Sequence, residues 1–145
     1  EPEPDSDRVT IAHQDSTFNP MDSRCVLVWL AIDRAFEENG CMWFVPGSHK
    51  LGTLECEESN HHIKEIDRYG EAVPIELEPG QATIFSDLVI HTSPPNRTAD
   101  AVRGGLTATY AAADLVPTLG QKTWAILCSG EDSENNWQVH SRPKG

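Results

Sequence analysis

Short runs of apolar residues alternate with polar turns along this chain, and the pattern predicts an all-β protein. The runs are rich in Val, Ile, Thr, Trp and Phe, and Gly, Pro, Asn or Asp bound them. No helical pattern persists for more than about two turns. Strands are predicted at residues 8–13, 24–32, 41–45, 73–77, 81–86, 88–92, 106–112 and 123–127. Short strands separated by such turns are typical of a β-sandwich or jelly roll, here one domain over residues 1–145.

Two polar segments fall outside this pattern. Residues 1–7 are acidic and contain two prolines, which predicts a flexible lead-in. Residues 52–70 are rich in Glu, and a solvated loop, a short helix or an active-site lid would explain them. The adjacent His61 and His62 in this segment are not predicted to bind one metal together, since neighbouring residues of an extended chain point to opposite faces.

Charge and composition narrow the possible partners. The chain has 11 Lys and Arg against 23 Asp and Glu, a formal net charge of −12. Such a surface repels nucleic acid and anionic membranes, so neither is expected as a partner. No apolar run approaches the roughly 20 residues that span a bilayer. The four cysteines form no CxxC pair, which with the lack of a recognisable signal sequence favours a cytoplasmic location. Composition does not indicate an oligomeric state.

The most informative polar residues are His13 and Asp15. Along a strand, residues two apart share a face, so both side chains can bind one metal ion while Gln14 points away. His91, far downstream, supplies a third ligand. Two imidazoles and one carboxylate form the facial triad of non-haem Fe(II) oxygenases. Taken singly, the HxD motif also occurs by chance, and a histidine at a strand end is often only structural.

Arg103 is the second candidate for chemistry. It follows a loop after His91, and we expect the strands on either side of that loop to run side by side and return Arg103 close to His91. A guanidinium binds a carboxylate through two parallel hydrogen bonds, so a dicarboxylate such as 2-oxoglutarate could bind metal and arginine together. The alternative is a surface arginine paired with Asp100 or Glu131.

Six segments, taken in order, resemble the phytanoyl-CoA dioxygenase family of Fe(II)/2-oxoglutarate oxygenases. They are residues 13–15, 29–33, 38–50, 77–81, 90–98 and 103–106. The run NGCMWFVPGSHKLG within them is the most specific. The combination carries the resemblance, because each piece alone is a weak signal.

The resemblance implies a cupin-like double-stranded β-helix, with iron bound by the residues at His13, Asp15 and His91. It implies that Arg103 binds the carboxylate of 2-oxoglutarate, and it places Trp29 and Ser93 near that co-substrate. Related halogenases have Ala or Gly in place of the carboxylate ligand, so an aspartate favours hydroxylation or another oxidation. The implied function is oxidation of a small organic substrate with O₂ and 2-oxoglutarate.

Several alternatives stay open. A cupin-like metal-binding module without oxygenase activity would keep the three ligands but need no Arg103, and a domain without metal would make the motif a coincidence. His49 is either a fourth ligand or a residue of the turn or substrate entrance. Family members are usually much longer and have elements before the HxD motif, so either a complete jelly roll or one that lacks its N-terminal part is expected. The substrate is not indicated.

Overall fold

The computed structural model describes residues 9–18, 25–116 and 124–142. These residues form strands and short 3₁₀ turns, and no α-helix occurs among them. The strands are β1 (Thr10–His13), β2 (Cys25–Ala31), β3 (Met42–Phe44), β4 (Val73–Ile75), β5 (Ala82–Ser86), β6 (His91–Ser93), β7 (Gly105–Ala111), β8 (Trp124–Ile126) and β9 (Gln138–His140). The 3₁₀ turns are Asp15–Thr17, Glu37–Asn39, Ser48–Leu51 and Ile66–Arg68. The predicted all-β class is confirmed.

The strands are arranged in two antiparallel sheets and one small parallel pair. The first sheet has the order β1-β6-β3-β4, and the second has the order β5-β2-β7. Strands β8 and β9 pair in parallel. Most neighbours in the two larger sheets are distant in sequence, so the loops between the strands cross from one sheet to the other, as in a jelly roll.

The two larger sheets pack face to face around an apolar core. In β2 every second residue is buried, and these side chains point toward the first sheet. The buried residues of this core are Leu27, Trp29, Ala31, Ala35, Cys41, Met42, Phe44, Phe85 and Val89. The core therefore joins strands of both sheets and holds the sandwich together.

The observed strands differ from the predicted ones in two places. β6 begins at His91, because residues 87–89 form a turn where a strand was predicted from residue 88. β9 was not predicted, since its three exposed residues carry no apolar alternation. The predicted lead-in at residues 1–7 lies outside the described residues, as do the first residues of the strands predicted from residues 8, 24 and 123.

The polar segment at residues 52–70 is anchored to the sandwich at its centre. Its helical content is one 3₁₀ turn, Ile66–Arg68. Ile63 is fully buried in a second cluster with Ala12, Val45 and Ile90, and its amide donates to Ala12 O at 2.8 Å. At Ile63, therefore, the segment is packed on the sandwich and is not solvated. Among the described residues, no helix is long and apolar enough to cross a membrane.

Candidate metal centre

Three predicted ligands come together at one end of the first sheet. His13 ends β1, His91 begins β6, and Asp15 opens the 3₁₀ turn that follows β1. One potential ligand atom from each residue lies within 4.8 Å of the others. Asp15 bridges the two imidazoles, with Oδ1 3.4 Å from His13 Nε2 and Oδ2 3.5 Å from His91 Nε2. Both histidines are buried.

A β-bulge in β1 places the two histidines opposite each other. Thr10 pairs with Ser93, and His13 pairs with His91, so three steps along β1 match two steps along β6. The extra residue shifts the register by one. Without it, Ala12 would lie opposite His91, and the His13 side chain would point to the other face of the sheet.

Asp15 reaches the same face by a different route from the one predicted. The strand ends at His13, as its predicted bounds have it, so Asp15 lies in a 3₁₀ turn and strand alternation does not by itself place its side chain. Gln14 between them keeps an extended backbone, with φ −110° and ψ 136°. Extended geometry at this one residue is sufficient to preserve the alternation of side chains, and the Gln14 side chain points away as predicted.

Backbone carbonyls fix the orientation of both imidazole rings. His13 Nδ1 lies 2.7 Å from Ile11 O, and His91 Nδ1 lies 3.0 Å from Val89 O. A carbonyl can only accept, so each Nδ1 carries the proton and donates it. In a neutral ring the Nε2 lone pair is then free, and it faces Asp15. Metal-binding histidines in proteins are oriented by this kind of hydrogen bond.

The donor set fits a divalent metal ion. Asp15 Oδ2 is buried and accepts no hydrogen bond, which is costly for a carboxylate oxygen unless a cation binds it. Burial, with the nearby His13, lowers the pKa of His91 below its ordinary value and favours the neutral ring that a metal requires. For His13, burial opposes the charge, but the contact with Asp15 outweighs it and raises its pKa.

Three phenylalanine rings border the centre, two of them from the apolar core. The rings of Phe85 and Phe44 lie 5.2 and 6.0 Å from the His91 ring, and the Phe18 ring lies 5.2 Å from that of His13. The sequence singled out neither Phe18 nor Phe85, whereas Phe44 belongs to the most specific run. Phe44 and Phe85, which belong to the apolar core, shield one side of the centre from water.

In the turn after β3, Ser48 contacts the backbone beside a metal ligand, whereas the predicted candidate His49 does not join the three ligands. Ser48 is buried, and its Oγ accepts a hydrogen bond of 2.9 Å from the amide of Ile90, the residue before His91. His49 is exposed and lies outside the group of three ligands. His61 and His62 also lie outside that group.

Arg103 precedes β7 in the other sheet. The expectation that the strands flanking its loop run side by side is wrong, because β6 and β7 belong to different sheets. Its guanidinium lies over the ring of Trp29, 5.8 Å from the centroid. Trp29 belongs to the same apolar core as Phe44 and Phe85, which contact His91, so Arg103 lies against the core that borders the metal centre.

The guanidinium of Arg103 is half-buried, and no described carboxylate forms an ion pair with it. The predicted alternative, pairing with Asp100 or Glu131, is therefore not observed. Burial lowers the pKa of Arg103, as expected for a cation that is partly desolvated. A carboxylate ligand would supply the missing partner.

Two further features shape the surroundings of Arg103. A Cβ at Gly105 would lie 2.2 Å from Trp29 Cζ2, so only glycine lets the indole lie against the β7 backbone. The amide of Gly104 donates to Asp33 Oδ2 at 2.9 Å and fixes the chain after Arg103.

Ser93 is buried and lies two residues after His91 on the same face.

Comparison with known proteins gives consistent matches. The family model described as Phytanoyl-CoA dioxygenase (PhyH) matches residues 2–105. A Caenorhabditis elegans protein named probable phytanoyl-CoA dioxygenase is 32% identical over 127 residues, covering 77% of this chain and 40% of that protein. A solved non-heme monooxygenase, the ThoJ–Ni complex, is 26% identical with a TM-score of 0.73, covering 97% of this chain and 51% of its own.

A second solved structure carries the co-substrate. EvdO2 from Micromonospora carbonacea var. aurantiaca, complexed with 2-oxoglutarate, is 25% identical with a TM-score of 0.58, covering 76% of this chain and 50% of its own. The chain spans less than half the length of the curated relatives that it matches. The predicted double-stranded β-helix is confirmed, and the predicted cofactors, Fe(II) and 2-oxoglutarate, are confirmed at the level of the family.

Proposed function

We propose, since the chain belongs to the phytanoyl-CoA dioxygenase family, that it is a non-haem Fe(II)/2-oxoglutarate-dependent dioxygenase that hydroxylates a small organic substrate. The observation that carries this proposal is the convergence of His13, Asp15 and His91 within 4.8 Å on the buried side of one sheet. Three ligands from one side leave the remaining positions of an octahedral ion open for a co-substrate and O₂.

Each residue has a separate task in this proposal. The Nε2 atoms of His13 and His91 and the carboxylate of Asp15 hold the ion, and the backbone carbonyls behind the rings keep Nε2 unprotonated. When bound, iron supplies the activation of O₂ coupled to oxidation of 2-oxoglutarate. Arg103 binds the far carboxylate of 2-oxoglutarate and so fixes which end faces the metal. The phenylalanines beside His91 keep water from that side.

The competing function is a cupin-like metal-binding module without oxygenase activity. It would use the same three ligands, so the metal centre alone does not separate the two functions. Arg103 does, because a half-buried guanidinium without a described acidic partner serves no purpose in a module that binds only metal. This favours the oxygenase.

The remaining properties of the protein are part of the same proposal. We take residues 1–145 as one oxygenase domain that acts on a small molecule and O₂, without nucleic acid as a partner. A cytoplasmic location is supported by the free thiols of Cys41, Cys56 and Cys128. The substrate class follows from neither the three ligands nor the fold.

An anaerobic titration with Fe(II) and then 2-oxoglutarate tests the proposed function. The visible charge-transfer band of an iron–keto-acid chelate should appear and saturate in the wild-type protein. His13→Ala and His91→Ala each remove a ligand, and we expect neither variant to give the band. His49→Ala is the matched control, because His49 is an exposed histidine outside the centre, and it should behave as wild type.

Each result has a clear meaning. A band in the wild type and His49→Ala, but in neither ligand variant, supports the oxygenase. Iron bound by the wild type without a band on adding 2-oxoglutarate would favour the cupin-like module. Fe(II) binding that survives His13→Ala and His91→Ala unchanged would refute the assigned centre.

A further inference from the structure

The side chain of Gln14, the middle residue of the HxD motif, is completely buried. Its exposed fraction is 0%, and it makes three hydrogen bonds, all to backbone groups. Nε2 donates to Gly52 O at 3.0 Å and to Leu88 O at 2.7 Å, while Oε1 accepts from the amide of Leu54 at 2.9 Å. One amide thus connects the motif to two distant segments of the chain.

Both segments bear on the metal centre. Leu88 lies one residue before Val89, whose carbonyl accepts from Nδ1 of His91. The contact with Leu88 therefore couples the backbone that carries two ligands to the turn that orients the third. Since Gln14 lies between His13 and Asp15, a shift of its side chain moves the backbone of both ligands together.

Gly52 and Leu54 begin the segment at residues 52–70. The same segment contacts residues on either side of the HxD motif at two further points. The amide of Ile63 donates to Ala12 O. The ring of His61 lies 4.3 Å from that of Phe18, which in turn contacts His13. Gln14 thus fixes the beginning of a segment whose middle, at His61 and Ile63, contacts residues that flank the motif.

We propose that Gln14 is a positioning residue of the metal centre, which sets the spacing between the HxD motif and His91 and holds the segment at residues 52–63 against the motif. This inference rests on the proposed function, because it assumes that the three ligands bind a metal ion. Gln14 touches neither the ion nor a substrate, so it acts only through the backbone that it joins.

The chemistry of the side chain gives two informative substitutions. Gln14→Met keeps the length and shape of the side chain but leaves three backbone groups, at Gly52, Leu54 and Leu88, without their partner. Gln14→Asn keeps the amide but is one methylene shorter, so it cannot reach both sides at once. Asn39→Leu is the matched control, because Asn39 is also a buried amide that bonds to backbone groups, at Arg34, Phe36 and Val102.

Co(II) titration of the wild type and these variants measures the positioning directly. We expect Gln14→Met to weaken Co(II) binding by about tenfold to hundredfold, the usual range for residues behind metal ligands. The d–d bands of the Co(II)-saturated variant should shift, because the ligands are held at a different spacing. Hydrogen exchange at the amide of Leu54 should also become faster. Gln14→Asn should show the same changes to a smaller extent.

Asn39→Leu separates positioning from stability. We expect Asn39→Leu to lower the melting temperature by about as much as Gln14→Met does, with Co(II) affinity and spectrum unchanged. A folded Gln14→Met that binds Co(II) with wild-type affinity and spectrum would overturn the proposal, and if that variant does not fold, the same result for Gln14→Asn overturns it. Failure of the wild type to bind Co(II) would refute the proposed function itself, and the inference with it.

Discussion

Replacement of Arg103 is the sharpest test of how this site recognises a co-substrate. The guanidinium is half-buried, lies over Trp29 and has no described acidic partner. If it binds the far carboxylate of 2-oxoglutarate, Arg103→Ala removes a charge-assisted pair worth about 1.5–3 kcal/mol. At about 1.4 kcal/mol per factor of ten, the Kd of 2-oxoglutarate should rise roughly 10- to 150-fold.

Arg103→Lys refines the same prediction. Lysine keeps the positive charge but loses the second parallel hydrogen bond and the planar stacking on Trp29. Its Kd should therefore lie between those of the wild type and Arg103→Ala. Neither substitution touches a ligand of the metal, so Fe(II) affinity should stay within about twofold of the wild type, the variation expected of a distant site.

The assay is an anaerobic titration of 2-oxoglutarate into Fe(II)-loaded protein, with Kd taken from the charge-transfer band and Fe(II) affinity measured separately. Arg97→Ala is the matched control, since Arg97 is an exposed arginine of the preceding loop. Unchanged 2-oxoglutarate affinity in Arg103→Ala would refute the assigned role. An equal loss of Fe(II) affinity would show instead that Arg103 supports the fold of the centre.

Three further predictions follow from the geometry. Gly105→Ala brings a methyl group against Trp29, so it should cost about 1–3 kcal/mol in urea unfolding and also weaken 2-oxoglutarate binding; wild-type values for both would contradict this packing. Ile63 is 1% exposed, so Ile63→Ala should lower the free energy of unfolding by about 2–5 kcal/mol. Ile84 is 69% exposed, so the control Ile84→Ala should lower it by less than about 0.5 kcal/mol. Equal values would mean that residues 52–70 are not anchored. As the pH decreases, metal affinity should begin to fall while the pH is still above 6.5, by about tenfold per pH unit, because the pKa of His13 is raised. The fall should become steeper below pH 6.5, where His91, whose pKa is lowered, also takes up a proton. A single two-proton step would contradict the opposite pKa shifts of the two rings.

The fold class followed from local pattern, because alternation of apolar and polar residues is a property of each strand by itself. The order of strands in the sheets did not follow, because it depends on packing between distant segments. The loop before Arg103 illustrates the difference. A hairpin is the usual result of a loop between two strands, yet β6 and β7 lie in different sheets, and Arg103 reaches the interior from the opposite side.

The candidate site divides in the same way. The ligand types and their order could be read from the sequence, since the chemistry of a metal ion restricts them to few residue types. The residues that position the ligands could not, because any amide or hydroxyl of the right length can serve. Gln14 and Ser48 have this role through hydrogen bonds to backbone groups of distant segments, and no local pattern marks them.

The bulge in β1 shows most clearly what the motif leaves open. An HxD pattern fixes which residues share a face of the sheet, but not which residue lies opposite His91 on the partner strand. A regular pairing from Thr10 and Ser93 onward would place Ala12 opposite His91 and turn His13 away, although the sequence would be the same. One extra residue reverses this, and the carbonyl of that same Ala12 accepts from Ile63 in the segment at residues 52–70. The register that makes the metal centre is therefore supported by contacts with Gly52, Leu54 and Ile63, which lie 38 to 51 residues further along the chain than the residues they contact.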